Sequence, residues 1–138
     1  MKIKHSDYLV YEVPAGWEVD ENDDSTAIYN NDGEGALTFS FYTIMEMKET
    51  LDEHISIMAK KFIDTNRIKL NKAFILDGTK KGKTVLYGTG VTPDNWFIKI
   101  WVIAKYPKVI LATYQSEKKT PELKEMEQII SSFTFTQF

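Results

Sequence analysis

Up to residue 43 the apolar residues recur with period two, the spacing of half-buried strands. Tyr8-Leu9-Val10-Tyr11-Glu12-Val13 predicts a first strand, stopped by Pro14-Ala15-Gly16. Trp17-Glu18-Val19 continues the alternation before an acidic loop at 20–24. A short strand at 26–29 meets Asn30-Asn31-Asp32-Gly33, a strong turn signal, and 36–43 is its hairpin partner. Within that partner Leu37, Phe39 and Phe41 share one face, and Thr38, Ser40 and Tyr42 the other.

The period then changes. Leu51, Ile55, Met58 and Phe62 form one stripe of a helix, with Asp52, Glu53 and Lys60 facing outward. Thr50 is placed to cap it, Glu53 completes a capping box, and Lys60 and Lys61 are expected near its C-terminal end, where positive charge complements the dipole. Strands follow at 73–79, 84–91, 96–105 and 109–115, joined by short turns, which predicts an antiparallel meander. A last helix is expected to open at Thr120 as cap, with Pro121 at its first position and Glu122 next. Its stripe is Leu123, Met126, Ile130 and Phe133, widened by Ile129, before a closing strand at 133–136. Neither helix nor sheet can hide its apolar face alone, so the expected class is α+β: an antiparallel meander packed by two main helices. With no internal repeat or Pro/Gly linker, one domain over residues 1–138 is expected.

Composition sharpens this picture in two places. The chain has 138 residues and no cysteine, which excludes disulfides, thiol nucleophiles and thiolate metal sites. The opening Met1-Lys2-Ile3-Lys4-His5-Ser6-Asp7 lacks the apolar stretch of a signal peptide, and no run is long enough to span a membrane, so the expected location is cytoplasmic. The net charge of −3 hides an asymmetry. Residues 1–53 hold 13 acids against 3 bases, whereas residues 54–138 hold 7 acids against 14 bases. Either the two parts neutralise each other in the fold, or the chain is dipolar and steers toward a charged partner.

Candidate chemistry is sparse. Asp20, Asn22 and Asp24 fit positions 1, 3 and 5 of a calcium loop, but Ser25 stands where glycine is needed and Asn31 where a bidentate glutamate is needed. Gly88-Thr89-Gly90 lacks the third glycine and the following helix of a dinucleotide loop, and reads as close backbone packing. His5 falls in an expected mobile N-terminus, and His54 borders the first helix's stripe with no partner evident in sequence. Catalytic, cofactor-binding and metal residues are therefore all read as none. The strand at 96–103 is apolar on both faces: Trp96, Ile98, Ile100 and Val102 on one, Phe97, Trp101 and Ile103 on the other, broken by Lys99. Burial between two helices is the first expectation, and a partner-binding or homodimer face at Phe97, Lys99, Trp101 and Ile103 the second. Lys69, Lys72, Lys80, Lys81 and Lys83 form a candidate anionic-surface contact, although the acidic balance, with pI near 5.4, disfavours nucleic acid.

The run Tyr11-Glu12-Val13-Pro14-Ala15-Gly16-Trp17-Glu18-Val19 resembles the opening of the PsbP-like fold group, in which an aromatic strand, P-x-G-W and a second strand recur. The turn through Asp32-Gly33, the Thr50-Leu51 helix start, Thr113-Tyr114-Gln115-Ser116 and the ending Ile130-Ser131-Ser132-Phe133 keep the same order. The resemblance implies an α/β/α sandwich and a structural role for Gly16-Trp17. That group includes an extrinsic photosystem II subunit, a Ran-binding nuclear-transport factor and bacterial chaperone-adaptors of secreted toxins, mostly non-catalytic binding proteins. The expectation is thus a protein-binding module, a cytosolic bacterial adaptor, chaperone-like or immunity-type protein with an unidentified protein partner. The alternative is a small-ligand-binding protein or hydrolase with a pocket between sheet and helix, for which His54 is the candidate centre.

Overall fold

The fold follows from where the two kinds of apolar stripe meet. In the computed structural model, which describes residues 1–5, 8–22, 24–80 and 82–136, the elements in chain order are β1 (Lys2–His5), β2 (Leu9–Glu12), β3 (Glu18–Glu21), β4 (Ser25–Tyr29), β5 (Gly35–Thr43), α1 (Leu51–Asn66), β6 (Lys69–Leu70), β7 (Ile75–Lys80), β8 (Lys83–Val91), β9 (Phe97–Lys105), β10 (Lys108–Ser116), α2 (Leu123–Ser132) and β11 (Thr134–Phe135). Eight strands build one antiparallel sheet in the order β3-β4-β5-β10-β9-β8-β6, with β7 also on β8. β1, β2 and β11 make a second, three-stranded sheet.

The alternation in β9 assigns the layers. Ile100, Val102 and Ala104 face one side, where Ile55 and Ala59 of α1 pack against Leu86, Val102, Ala104 and Val109. Trp101 and Ile103 face the other, packed with Leu123, Met126, Ile129 and Ile130 of α2 and with Leu9, Tyr11 and Val13. From Ile98 to Ile103 the doubly apolar strand is therefore central and covered from both sides, because each face meets its own helix, whereas Trp96 precedes β9 and is exposed. Gly16 adopts a left-handed φ of +87°, and the turn it closes, Trp17 N–H to Pro14 O at 3.3 Å, delivers the indole into the second core.

Several elements differ from expectation for identifiable reasons. The N-terminus through His5 is a strand paired with β2, fastened where the Met1 amino group donates to Val13 O at 2.7 Å. His5 stacks on Phe41 with ring centroids 4.3 Å apart. The acidic segment is a tight β3–β4 hairpin, with Asn22 N–H donating to Ser25 O, too short to wrap a calcium ion; Asp23 lies outside the described residues. α1 runs on to Asn66, so Lys60 and Lys61 sit before its last turn, which carries no basic residue. Its start is as expected: Thr50 Oγ1 accepts from Glu53 N–H at 3.2 Å. α2 begins at Leu123, and the Thr120 hydroxyl meets the Tyr114 hydroxyl at 3.1 Å instead of capping it.

Gly88 and Gly90 do mark close packing. A Cβ on Gly90 would stand 2.6 Å from Lys69 O, the neighbouring backbone in β6, and one on Gly88 would strike the Phe74 ring.

Candidate functional site

The cover over the large sheet is incomplete on the α2 side. Register places Ile75, Tyr87 and Trp101 side by side across β7, β8 and β9, and Asp77, Val85 and Ile103 in the next row. Cross-strand partners share a face, so both rows point toward α2. α2 covers Trp101 and Ile103, which are buried, but stops short of the sheet edge: Val85 and Tyr87 are half-buried and Ile75 is 51% exposed. A groove of about 500 Å³ opens there, floored by Val85, Tyr87, Lys99 and Trp101 and walled by Glu127 and Ile130 of α2. Its outer rim is β7, which among the described residues pairs with β8 alone and exposes Ile75 and Leu76.

Two lysines are built into this groove. The Lys99 ammonium pairs with the Glu127 carboxylate and sits 5.0 Å from the Tyr87 ring centroid and 5.3 Å from that of Trp101. Opposite charge and two aromatic faces offset its loss of hydration. Lys83, 5% exposed, donates to the carbonyls of Ser131 at 3.2 Å and Phe133 at 2.5 Å. It supplies from β8 the cation that the end of α2 lacks in its own sequence.

The sequence-predicted residues separate accordingly. Phe97 is half-buried against Tyr114, Lys99 reaches the groove floor, and Trp101 and Ile103 are core with only the Trp101 edge lining the groove. Lys83 is turned inward, so it does not join Lys69 and Lys72, which are exposed. β6 pairs with Gly90–Val91 at one end of β8, whereas Lys80 pairs with Lys83 at the other, roughly 25 Å away at the strand rise. The basic stretch is thus strung along the sheet edge; Lys81 lies outside the described residues. Sequence reasoning missed Tyr87, Ile75 and Glu127. The period-two pattern at 84–91 carried a signal for Tyr87, but α2's reach carried none.

His54 Nδ1 lies 2.8 Å from Glu49 Oε1, a partly exposed pair at the start of α1 that lines neither this groove nor a second cleft. That second cleft, of about 360 Å³, lies between the end of α1 and the β8–β9 turn, with Ile68 and Ile98 beneath it. No group of three metal-ligating side chains occurs among the described residues, and no helix among them is long and apolar enough to cross a membrane.

No family model and no curated protein matches the chain. Solved structures do. The solution structure of cyanobacterial PsbP (CyanoP) from Synechocystis sp. PCC 6803 superposes with a TM-score of 0.70 at 14% identity, covering 99% of this chain and 92% of that one. A point mutant of protein Mog1 superposes with a TM-score of 0.61 at 8% identity, covering 96% and 94%. At these identities the likeness is one of architecture. The chain has the PsbP-like α/β/α fold, shared with Mog1, along essentially its whole length.

Proposed function

We propose that the protein is a non-catalytic, cytoplasmic protein-binding module of adaptor, chaperone-like or immunity type, and that its contact surface is the uncovered β7–β8 strip with the groove beside it. One observation carries this reading: α2 ends its cover one strand short of the sheet edge, leaving Ile75 and the Tyr87 ring uncovered on its side of β7, a strand that, among the described residues, has a neighbour on one side only and exposes Leu76 on its other face. An edge that exposes apolar side chains and backbone groups is a template for a partner's extended segment. The groove adds a recess for one inserted side chain, and the Lys99–Glu127 pair holds its floor in shape before binding.

The test is site-specific photo-crosslinking in cells that make the protein, with the crosslinker at position 75 and, as control, at position 57, which is exposed on the outer side of α1. A discrete protein adduct from 75, absent from 57 and lost when Tyr87→Asp is added, is the expected result. No adduct, or the same adducts from both positions, removes the strip as the contact surface.

A further inference from the structure

An exposed aromatic ring at the rim of a cleft of mixed polarity offers its face to a ligand. Trp96 is 40% exposed and fixed by a tight turn. Thr92 N–H donates to Trp96 O at 2.9 Å, Trp96 N–H to Thr92 Oγ1 at 3.1 Å, and Asn95 N–H to Thr92 O at 2.8 Å. Asn95 accepts a left-handed φ of 68° to complete it. Around the indole the cleft is mixed: Asp94, Thr92, Asn66 and Gln115 supply its polar groups, and Phe62, Pro93 and, beneath it, Ile68 and Ile98 supply apolar surface.

The chemistry of this lining narrows the ligand class. Among the described residues no lysine or arginine lines the cleft and Asp94 does, so a phosphate or carboxylate ligand would meet repulsion. A purely apolar ligand would suit Ile68, Ile98 and Phe62 but strip water from the Asp94 carboxylate and the Gln115 amide and return nothing to them. A small organic cation suits Trp96 and Asp94 but leaves without a role the Gln115 amide and the side-chain oxygen of Asn66, whose Nδ2 already donates to Phe62 O at 2.9 Å. A neutral ring with an apolar C–H face and hydroxyls around its rim uses every group. Its face lies on the indole, and each hydroxyl both donates and accepts, as each amide does. We propose that the cleft at Trp96 binds a sugar ring. A shallow, open site with one stacking ring predicts weak binding, with a Kd on the order of 1 mM for a monosaccharide.

The experiment is a titration of the full ¹⁵N-labelled chain followed by its indole and side-chain amide resonances, with the Trp96 signal identified by Trp96→Phe. Glucose, galactose, mannose and N-acetylglucosamine form one arm, and oligosaccharides ending in the same units form a second, separating a free sugar from a glycan terminus. Tetramethylammonium chloride is the cation control. The expected result is saturable shifts of the Trp96 indole and the Asn66 and Gln115 amides with a sugar from either arm. Affinity should fall by about tenfold or more in Trp96→Ala and in Asp94→Asn, one well-made polar or stacking contact each, and stay unchanged in Tyr87→Ala in the other groove. The exposed position of Trp96 keeps both variants folded, which their dispersed spectra check. Silence from every sugar up to about 100 mM, a hundredfold above the expected constant, overturns the proposal. So do sugar shifts that survive Trp96→Ala, or a response to tetramethylammonium alone.

Discussion

Tyr11 is wholly buried between the rings of Phe39 and Phe133, and its hydroxyl finds no hydrogen-bond partner among the described residues. Burial, with the Glu21 charge as a smaller contribution, pushes this phenol far above its usual range, and burial also raises Tyr8 and Tyr114. The sign of the consequence is fixed. A phenol with a raised folded-state pKa contributes fully below its unfolded value of 10.0, and that contribution drains as pH climbs past it, because the unfolded chain releases the proton first. Tyr11→Phe removes an unsatisfied buried hydroxyl while keeping the ring. Urea denaturation is expected to show a gain of about 1 kcal/mol at neutral pH and a shallower loss of stability above pH 10. A loss of stability at neutral pH would mean that the hydroxyl has an acceptor. The same scale shows what sequence conceals: Lys83 and Lys99 read as surface cations because lysine usually reaches water, yet both are inside. Only the position of α2's carbonyls and of Glu127 makes that affordable.

The end of α1 shows how far an element is legible. Its stripe and its Thr50 cap were readable because both obey local spacing, and so were the 30–33 turn and the four-strand run from 75 to 116. Its stop was not. Ile68 N–H reaches back to Ile63 O at 3.0 Å and Arg67 N–H to Asp64 O at 3.4 Å, with Ile68 and Ile63 packed together, a Schellman ending. The left-handed position, φ 53°, is filled by Arg67, where glycine carries no Cβ penalty. Arg67→Gly is therefore expected to raise stability by about 0.5 kcal/mol, relief of the left-handed strain exceeding glycine's extra unfolded-state freedom. Arg67→Val should lower it by about 1 kcal/mol or more, since a β-branched residue tolerates that φ least; thermal melts of the two variants decide the matter. β1 and the two-residue β6 escaped notice because each has too few apolar residues to show a period. Thr120-Pro121-Glu122 matched a helix start in sequence, but the buried Tyr114 hydroxyl claims both Thr120 and Glu122 as partners.

At the scale of the molecule, the charge asymmetry becomes geometry. The acidic first part supplies one edge of the large sheet, where Glu18, Asp20 and Glu21 are exposed on β3, and the basic part supplies the other, with Lys69 exposed on β6 and Lys72 just after it. Six interstrand steps put these edges roughly 29 Å apart, several Debye lengths at physiological salt, which is about 8 Å. Lys99 pairs with Glu127 inside the second part, and Glu49 of the first part pairs with the His54 ring. The acidic and basic edges are held apart, a result no linear reading decides, since it depends on β5 and β10 pairing at the middle of the sheet. Such a molecule should be retained at neutral pH and low salt by both anion and cation exchangers despite its net charge of −3. The double variant Lys69→Glu, Lys72→Glu should lose the cation exchanger and keep the anion exchanger. Retention of the parent on the anion exchanger alone would show that lysines and acids neutralise locally after all. The basic edge lies along the same border as β7, so an acidic partner docking on the strip proposed above would meet this field before it touched Ile75. For such an acidic partner, raising salt should slow association while leaving the apolar contact, and hence dissociation, nearly unchanged.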